Sequence, residues 1–139
     1  MSDLSRSEPY LAATLPSLLR RIHDRLERVD GVWLFGSFAR GQATPGSDID
    51  LAVLGPQAFD PLLIFDLGLE LGVIAGRDVD LIDLRAAPVV LKKEVLVGGS
   101  LIEQRAPAAC ERFAAEAMAL YVAFRDELAL AGVVGRSRA

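Results

Sequence analysis

Seven consecutive residues, Asp48-Ile49-Asp50-Leu51-Ala52-Val53-Leu54, set the tightest condition on any fold this chain can adopt. A short apolar run that starts with polar alternation reads as a strand, and a strand sends successive side chains to opposite faces. Asp48 and Asp50 therefore share one face, while Ile49, Leu51 and Val53 share the other and must meet a core. The two aspartate backbones then lie roughly 6.6 Å apart. At that distance like charges repel by about 2.5 kcal/mol if the effective dielectric is ~20. A pair of divalent cations about 3.5 to 4 Å apart reverses the sign, and magnesium prefers such hard oxygen ligands.

The flanking sequence predicts what surrounds this strand. Leu15, Leu18, Leu19, Ile22 and Leu26 recur at helical spacing, which predicts a helix from near Pro16, capped by Thr14, to before Asp30-Gly31. Proline is tolerated only in a first turn, so Pro9 to Ala13 is expected to form a separate turn. Val32 to Phe35 reads as a buried strand ending at Gly36-Ser37, where a second short helix begins. The turn formers of Gln42 to Ser47 lead into the aspartate strand. Pro61 to Ala75 reads as a helix stopped by Gly76, Val79 to Asp83 as a third strand, and Pro88 to Val97 as a helix closed by Gly98-Gly99. Ser100 to Glu103 is a short extended piece, and a long final helix runs from Ala106 to about Leu130. Residues 131–139 are expected to fray. This order predicts the α/β (α+β) class, a small mixed β-sheet flanked by helices, in one domain over residues 1–139 with its core at about 15–128.

Composition narrows the function. A chain of 139 residues, 52% hydrophobic and 24% charged, can hold a core without staples. It has no apolar run approaching the ~18 residues of a membrane span. Net charge −4 and a pI near 5.0 disfavour direct DNA binding, which needs a basic surface, so any nucleotide handled should be small and brought in with metal. One cysteine, Cys110, and one histidine, His23, leave neither a disulfide nor a zinc site. The polar, acid-bearing N-terminus is wrong for a leader, and the expected location is the cytoplasm.

Two further features extend the aspartate pair. In Val79-Asp80-Leu81-Ile82, Asp80 opposes the apolar residues beside it, and three carboxylates converge if this strand pairs next to Asp48 and Asp50. Such a triad supplies two metals and leaves one carboxylate to orient or deprotonate an attacking hydroxyl. Asp78 shares that face nearer the turn, and Asp83 points the other way. Gly36-Ser37 opens a helix whose unpaired N–H groups favour a phosphate, and Arg40 stands one turn on. Elsewhere the plainer reading is preferred. His23 is expected to be exposed and inert, Cys110 a small apolar residue, and Lys92-Lys93 a solvated face. Trp33, Tyr121 and Phe124 are expected to be packing.

The block Gly36-Ser37-Phe38-Ala39-Arg40-Gly41, followed by Ser47-Asp48-Ile49-Asp50-Leu51, resembles the signature of the MNT-type minimal nucleotidyltransferases of the polymerase-beta-like superfamily. Val79-Asp80-Leu81-Ile82-Asp83-Leu84 is similar to that family's third-carboxylate strand. The resemblance implies a minimal nucleotidyltransferase fold with ATP as co-substrate and two Mg2+ ions on Asp48, Asp50 and Asp80. It implies Gly36, Ser37, Arg40 and Ser47 at the nucleotide. It also implies an antitoxin that transfers AMP to a tyrosine of a partner HEPN ribonuclease toxin, by in-line attack on the α-phosphorus with pyrophosphate leaving. The chain departs from the pattern in its last helix, where relatives often read Tyr-x-Asp-Phe and this sequence has Tyr121-Val122-Ala123-Phe124.

Overall fold

A computed structural model of the chain describes residues 2–132. The elements are α1 (Ser2–Arg25), β1 (Gly31–Phe35), α2 (Gly36–Ala39), β2 (Ile49–Leu54), α3 (Pro61–Ala75), β3 (Val79–Asp83), α4 (Val89–Gly98), β4 (Ser100–Gln104) and α5 (Pro107–Leu130). The strands form one mixed sheet in the order β3-β2-β1-β4. β1 runs antiparallel to both β2 and β4, while β2 and β3 are parallel. The expected fold class is the one observed, with nearly every strand and helix boundary within two residues of the reading from sequence.

Alternation along the strands divides the interior into two layers. Val32, Leu34, Ile49, Leu51, Val53 and Leu81 pack with Leu18 and Ile22 of α1 and with Ile64, Leu67 and Leu71 of α3. Trp33, Phe35, Ala52 and Leu54 point the other way, against Val95 of α4 and Cys110, Phe113 and Ala117 of α5. β2 is thus buried on both faces after Asp50. Each fully buried leucine contributes about 1.5–3 kcal/mol relative to exposure. The outward side of α3 is apolar too: Leu62, Phe65, Leu69 and Val73 follow one another at helical spacing and are all exposed.

The first helix is the main correction. It begins at Ser2 and passes through Pro9 and Pro16, so Pro9 to Ala13 is helical and no separate turn exists there. Proline forfeits a backbone hydrogen bond, but tertiary contacts outweigh that loss here. Tyr10, Leu11 and Leu15 pack on the core, and the Tyr10 hydroxyl donates to the Ala75 carbonyl at 2.7 Å. Asp48 falls just outside β2. The expected fraying of the tail concerns residues 131–139, of which 133–139 lie outside the described residues.

Candidate active site

The parallel pairing of β2 and β3 sets Asp50 directly opposite Asp80, in one rung of the sheet. Asp50 also lies opposite Phe35 on the antiparallel side, so the residue that follows Phe35 turns across the Asp50 side chain. That residue is Gly36, at φ 73°. A Cβ there would overlap the Asp50 carboxylate, and the left-handed backbone disfavours a side chain independently. Only glycine lets the start of α2 approach the acid so closely.

Asp48 sits in the turn leading into β2, exposed, two residues before the half-buried Asp50. Asp80 is exposed on β3, which is an edge strand. Burial first, and then the like charges of Asp80, Asp48 and Glu94, push the Asp50 carboxyl up to about 6, with Arg40 opposing the rise. The site carries more negative charge than its own side chains neutralise.

The other residues named from sequence divide. Ser37 lies in α2, the start of which has no side-chain cap hydrogen bond. Arg40 is exposed, closes α2 at its C-terminal end and donates to the Gln42 side chain at 3.3 Å. It reaches the carboxylates through its charge. Ser47 is turned into its own loop: its Oγ accepts from the Thr44 N–H at 2.8 Å. The Asp78 carbonyl accepts from the Ile49 N–H at 3.0 Å, and the Asp83 carboxylate is buried and accepts from the Phe59 and Arg85 N–H groups.

Three plain readings need correction. His23 is half-buried and bonded to Glu103, because α1 brings it over β4. Lys92 and Lys93 are half-buried over the rings of Phe113 and Tyr121, at 5.6 and 5.3 Å, where α4 lies along α5. Phe124 is 37% exposed, since α5 runs beyond the body it packs on. Trp33 and Cys110 are buried as expected. Sequence reasoning did not find Glu94, because its approach to Asp50 depends on how α4 is rotated against the sheet.

The donor set is hard oxygen with uncompensated charge, which fits a magnesium-type cation. Among the described residues no three histidine, cysteine or acidic side chains enclose one ion. One or two carboxylates with other oxygen donors to complete the shell is how magnesium is commonly bound, and these residues suit that arrangement.

Comparison with known proteins fits this geometry. Residues 18–108, well over half the chain, match the family described as polymerase beta, nucleotidyltransferase. The chain belongs to that family. It is 34% identical over 82 residues to protein adenylyltransferase MntA of Shewanella oneidensis, and the match covers 59% of each chain. The matched region thus spans about three-fifths of that relative's length. Among solved structures the fold is similar to a toxin-antitoxin with AMP-PNP, with TM-score 0.77 and 29% identity over 81% of this chain and 90% of that one. It is also similar to the tri-AMPylated Shewanella oneidensis HEPN toxin in complex with its MNT antitoxin, with TM-score 0.75 and 26% identity over 86% and 92% of the two chains. No helix among the described residues is long and apolar enough to cross a membrane.

Proposed function

We propose that this nucleotidyltransferase is a magnesium-dependent protein adenylyltransferase that moves AMP from ATP to a tyrosine hydroxyl of a partner HEPN ribonuclease toxin. It acts as the antitoxin of a cytoplasmic pair and forms a hetero-oligomer with its target. Residues 1–139 are read as one domain, with the core expected at about 15–128 extended back to Tyr10 and Leu11, which pack on it. The observation that carries this reading is the rung that joins Asp50 to Asp80, with Gly36 closed down on Asp50. The likeness to MntA and to the AMPylated HEPN complex supports the acceptor class. The apolar stripe on α3 is surface of the kind that protein partners cover.

In this reading Asp48, Asp50 and Asp80 hold two magnesium ions, and Gly36, Ser37, Arg40 and Ser47 surround the triphosphate. Magnesium, when bound, supplies Lewis-acid neutralisation of the phosphate oxygens and of the attacking oxygen. The N–H groups at the start of α2 bind phosphate oxygen. Asp80, exposed on the edge strand, is placed to meet an arriving acceptor and orients its hydroxyl. That oxygen forms a bond to the α-phosphorus as the bond to pyrophosphate breaks, and the hydroxyl proton passes to a carboxylate or to solvent.

The test is to incubate the chain with α-labelled ATP, magnesium and the product of the neighbouring gene, beside an Asp48→Asn, Asp50→Asn form. Label on the partner that needs both aspartates is the expected result. A stable complex that silences the partner with no label would replace the reading with inhibition by binding. Neither label nor complex would move the acceptor to a small-molecule hydroxyl.

A further inference from the structure

Arg77 lies in the turn between α3 and β3, outside every motif noted above. Its guanidinium lies over two neighbouring rings, 4.4 Å from the centroid of Tyr10 on α1 and 5.2 Å from that of Phe38 on α2. The two rings are themselves 6.1 Å apart, and Tyr10 is anchored by its hydroxyl bond to the Ala75 carbonyl. From this position Arg77 Nη1 donates to the Ser47 carbonyl at 3.0 Å. One residue further on, the Ile49 N–H donates to the Asp78 carbonyl at 3.0 Å. The peptide groups on both sides of Asp48 are therefore fastened to the same turn, which also begins the strand that carries Asp80. Phe38 belongs to the helix that starts at Gly36-Ser37.

We infer that Arg77 is a positioning residue, which sets Asp48 in register with Asp80 and with the start of α2. The inference rests on the reading of Asp48 as a metal carboxylate. Asp48 is exposed and lies outside the ladder of β2, so strand pairing alone leaves its backbone on one hydrogen bond. A planar guanidinium can stack on aromatic faces and donate in its own plane at once, which an ammonium cannot. The clamp thus ties the phosphate end of the site to its metal end through one side chain.

Arg77→Lys in the full chain tests this, read in two ways. Hydrogen exchange at the Ile49 amide should accelerate by about tenfold, while the amides of Leu51 to Val53 hold their protection. Mn2+ titration should show affinity reduced by about 10- to 100-fold, the range for losing a residue that orients a metal ligand. Transfer by the variant should recover toward the wild-type kcat at saturating metal, which a general loss of stability would not allow. Phe38→Leu, which keeps the apolar bulk and removes one ring, should move both readouts in the same direction by less, and decides the matter if Arg77→Lys does not fold. Unchanged exchange at Ile49, or equal loss of protection along all of β2, overturns the inference. If the wild-type chain takes up no Mn2+, the metal reading of Asp48 fails by itself, and the Ile49 exchange alone decides whether Arg77 holds the residue.

Discussion

On the α1 and α3 side of the sheet Glu70 accepts hydrogen bonds from Arg21, at 2.9 Å, and from Arg25, and these bonds hold its carboxyl below its ordinary range. On the other side Asp50 is partly buried beside Asp80, Asp48 and Glu94, and its carboxyl is pushed up to about 6. Both residues are acids on packed elements of one small fold. The difference is that two arginines bond to Glu70 directly, whereas Asp50 has only the distant charge of Arg40 against burial and three like charges. A carboxylate that ties two helices together can be satisfied locally. Under the proposed function Asp50 awaits a cation and a triphosphate and must stay unsatisfied, and the chain tolerates the resulting repulsion because the rest of β2 is packed on both faces.

The largest effect should come from removing the unsatisfied charge. Asp50→Asn is expected to lower AMP transfer by on the order of a thousandfold or more, as for a residue whose role is confined to the reacting centre. Its melting temperature should hold or rise, because the cost of burying the charge and the like-charge repulsion both disappear. A labelled-ATP assay run beside a thermal melt checks both halves, and a fall in stability would break the contrast with Glu70. One residue along, Leu51 is fully buried against α1 and α3. Leu51→Ala should cost about 2–5 kcal/mol, which urea unfolding would read, while any loss of transfer should follow the fraction unfolded.

How much of this was legible depended on the range of the forces involved. β1, β2, β3, α3 and α4 could be read because alternation, Pro61, Gly76 and Gly98-Gly99 are local signals. The strand geometry used to place Asp48 beside Asp50 holds only from Ile49 onward, since Asp48 lies just outside β2. The rung joining Asp50 to Asp80 was not legible, since it needs β3 to lie parallel to β2 at one particular register. The prolines misplaced the start of α1, because their local penalty is visible in sequence and the compensating contacts of Tyr10 with Ala75 and Arg77 are not. Glu94, Arg77 and the bond from His23 to Glu103 were hidden for the same reason: each depends on how a helix or turn is set against a strand far away in the chain.

The pH dependence of stability sharpens the contrast by its sign. The folded carboxyl of Asp50 binds its proton more tightly than the ordinary value of 3.8, so the folded state takes up protons first. Its contribution to stability therefore falls as pH rises from about 4 to about 6, and the full penalty stands above 6. The difference in urea midpoint between wild type and Asp50→Asn isolates this slope from the other titrating groups. Added magnesium should flatten the slope, since a cation favours the charged form. A difference that rises with pH would show that the charge of Arg40 outweighs the burial and the like charges.

Glu70 should show the opposite sign and the smallest effect. Its carboxyl is held below the ordinary 4.5, so its contribution is present above that value and is lost as pH falls through the lowered one. Both arginines are more than a third exposed, and exposed pairs are screened by solvent and salt. Glu70→Gln is therefore expected to lower the melting temperature by about 2 °C or less at low ionic strength, and by nothing measurable in 0.5 M salt (about a 4 Å Debye length). Transfer of AMP should be unchanged, because the sheet separates this pair from the carboxylate rung. A loss of activity in Glu70→Gln without a loss of stability would mean that the two faces are coupled, and that the charge on α3 reaches the site through the turn where Arg77 stands.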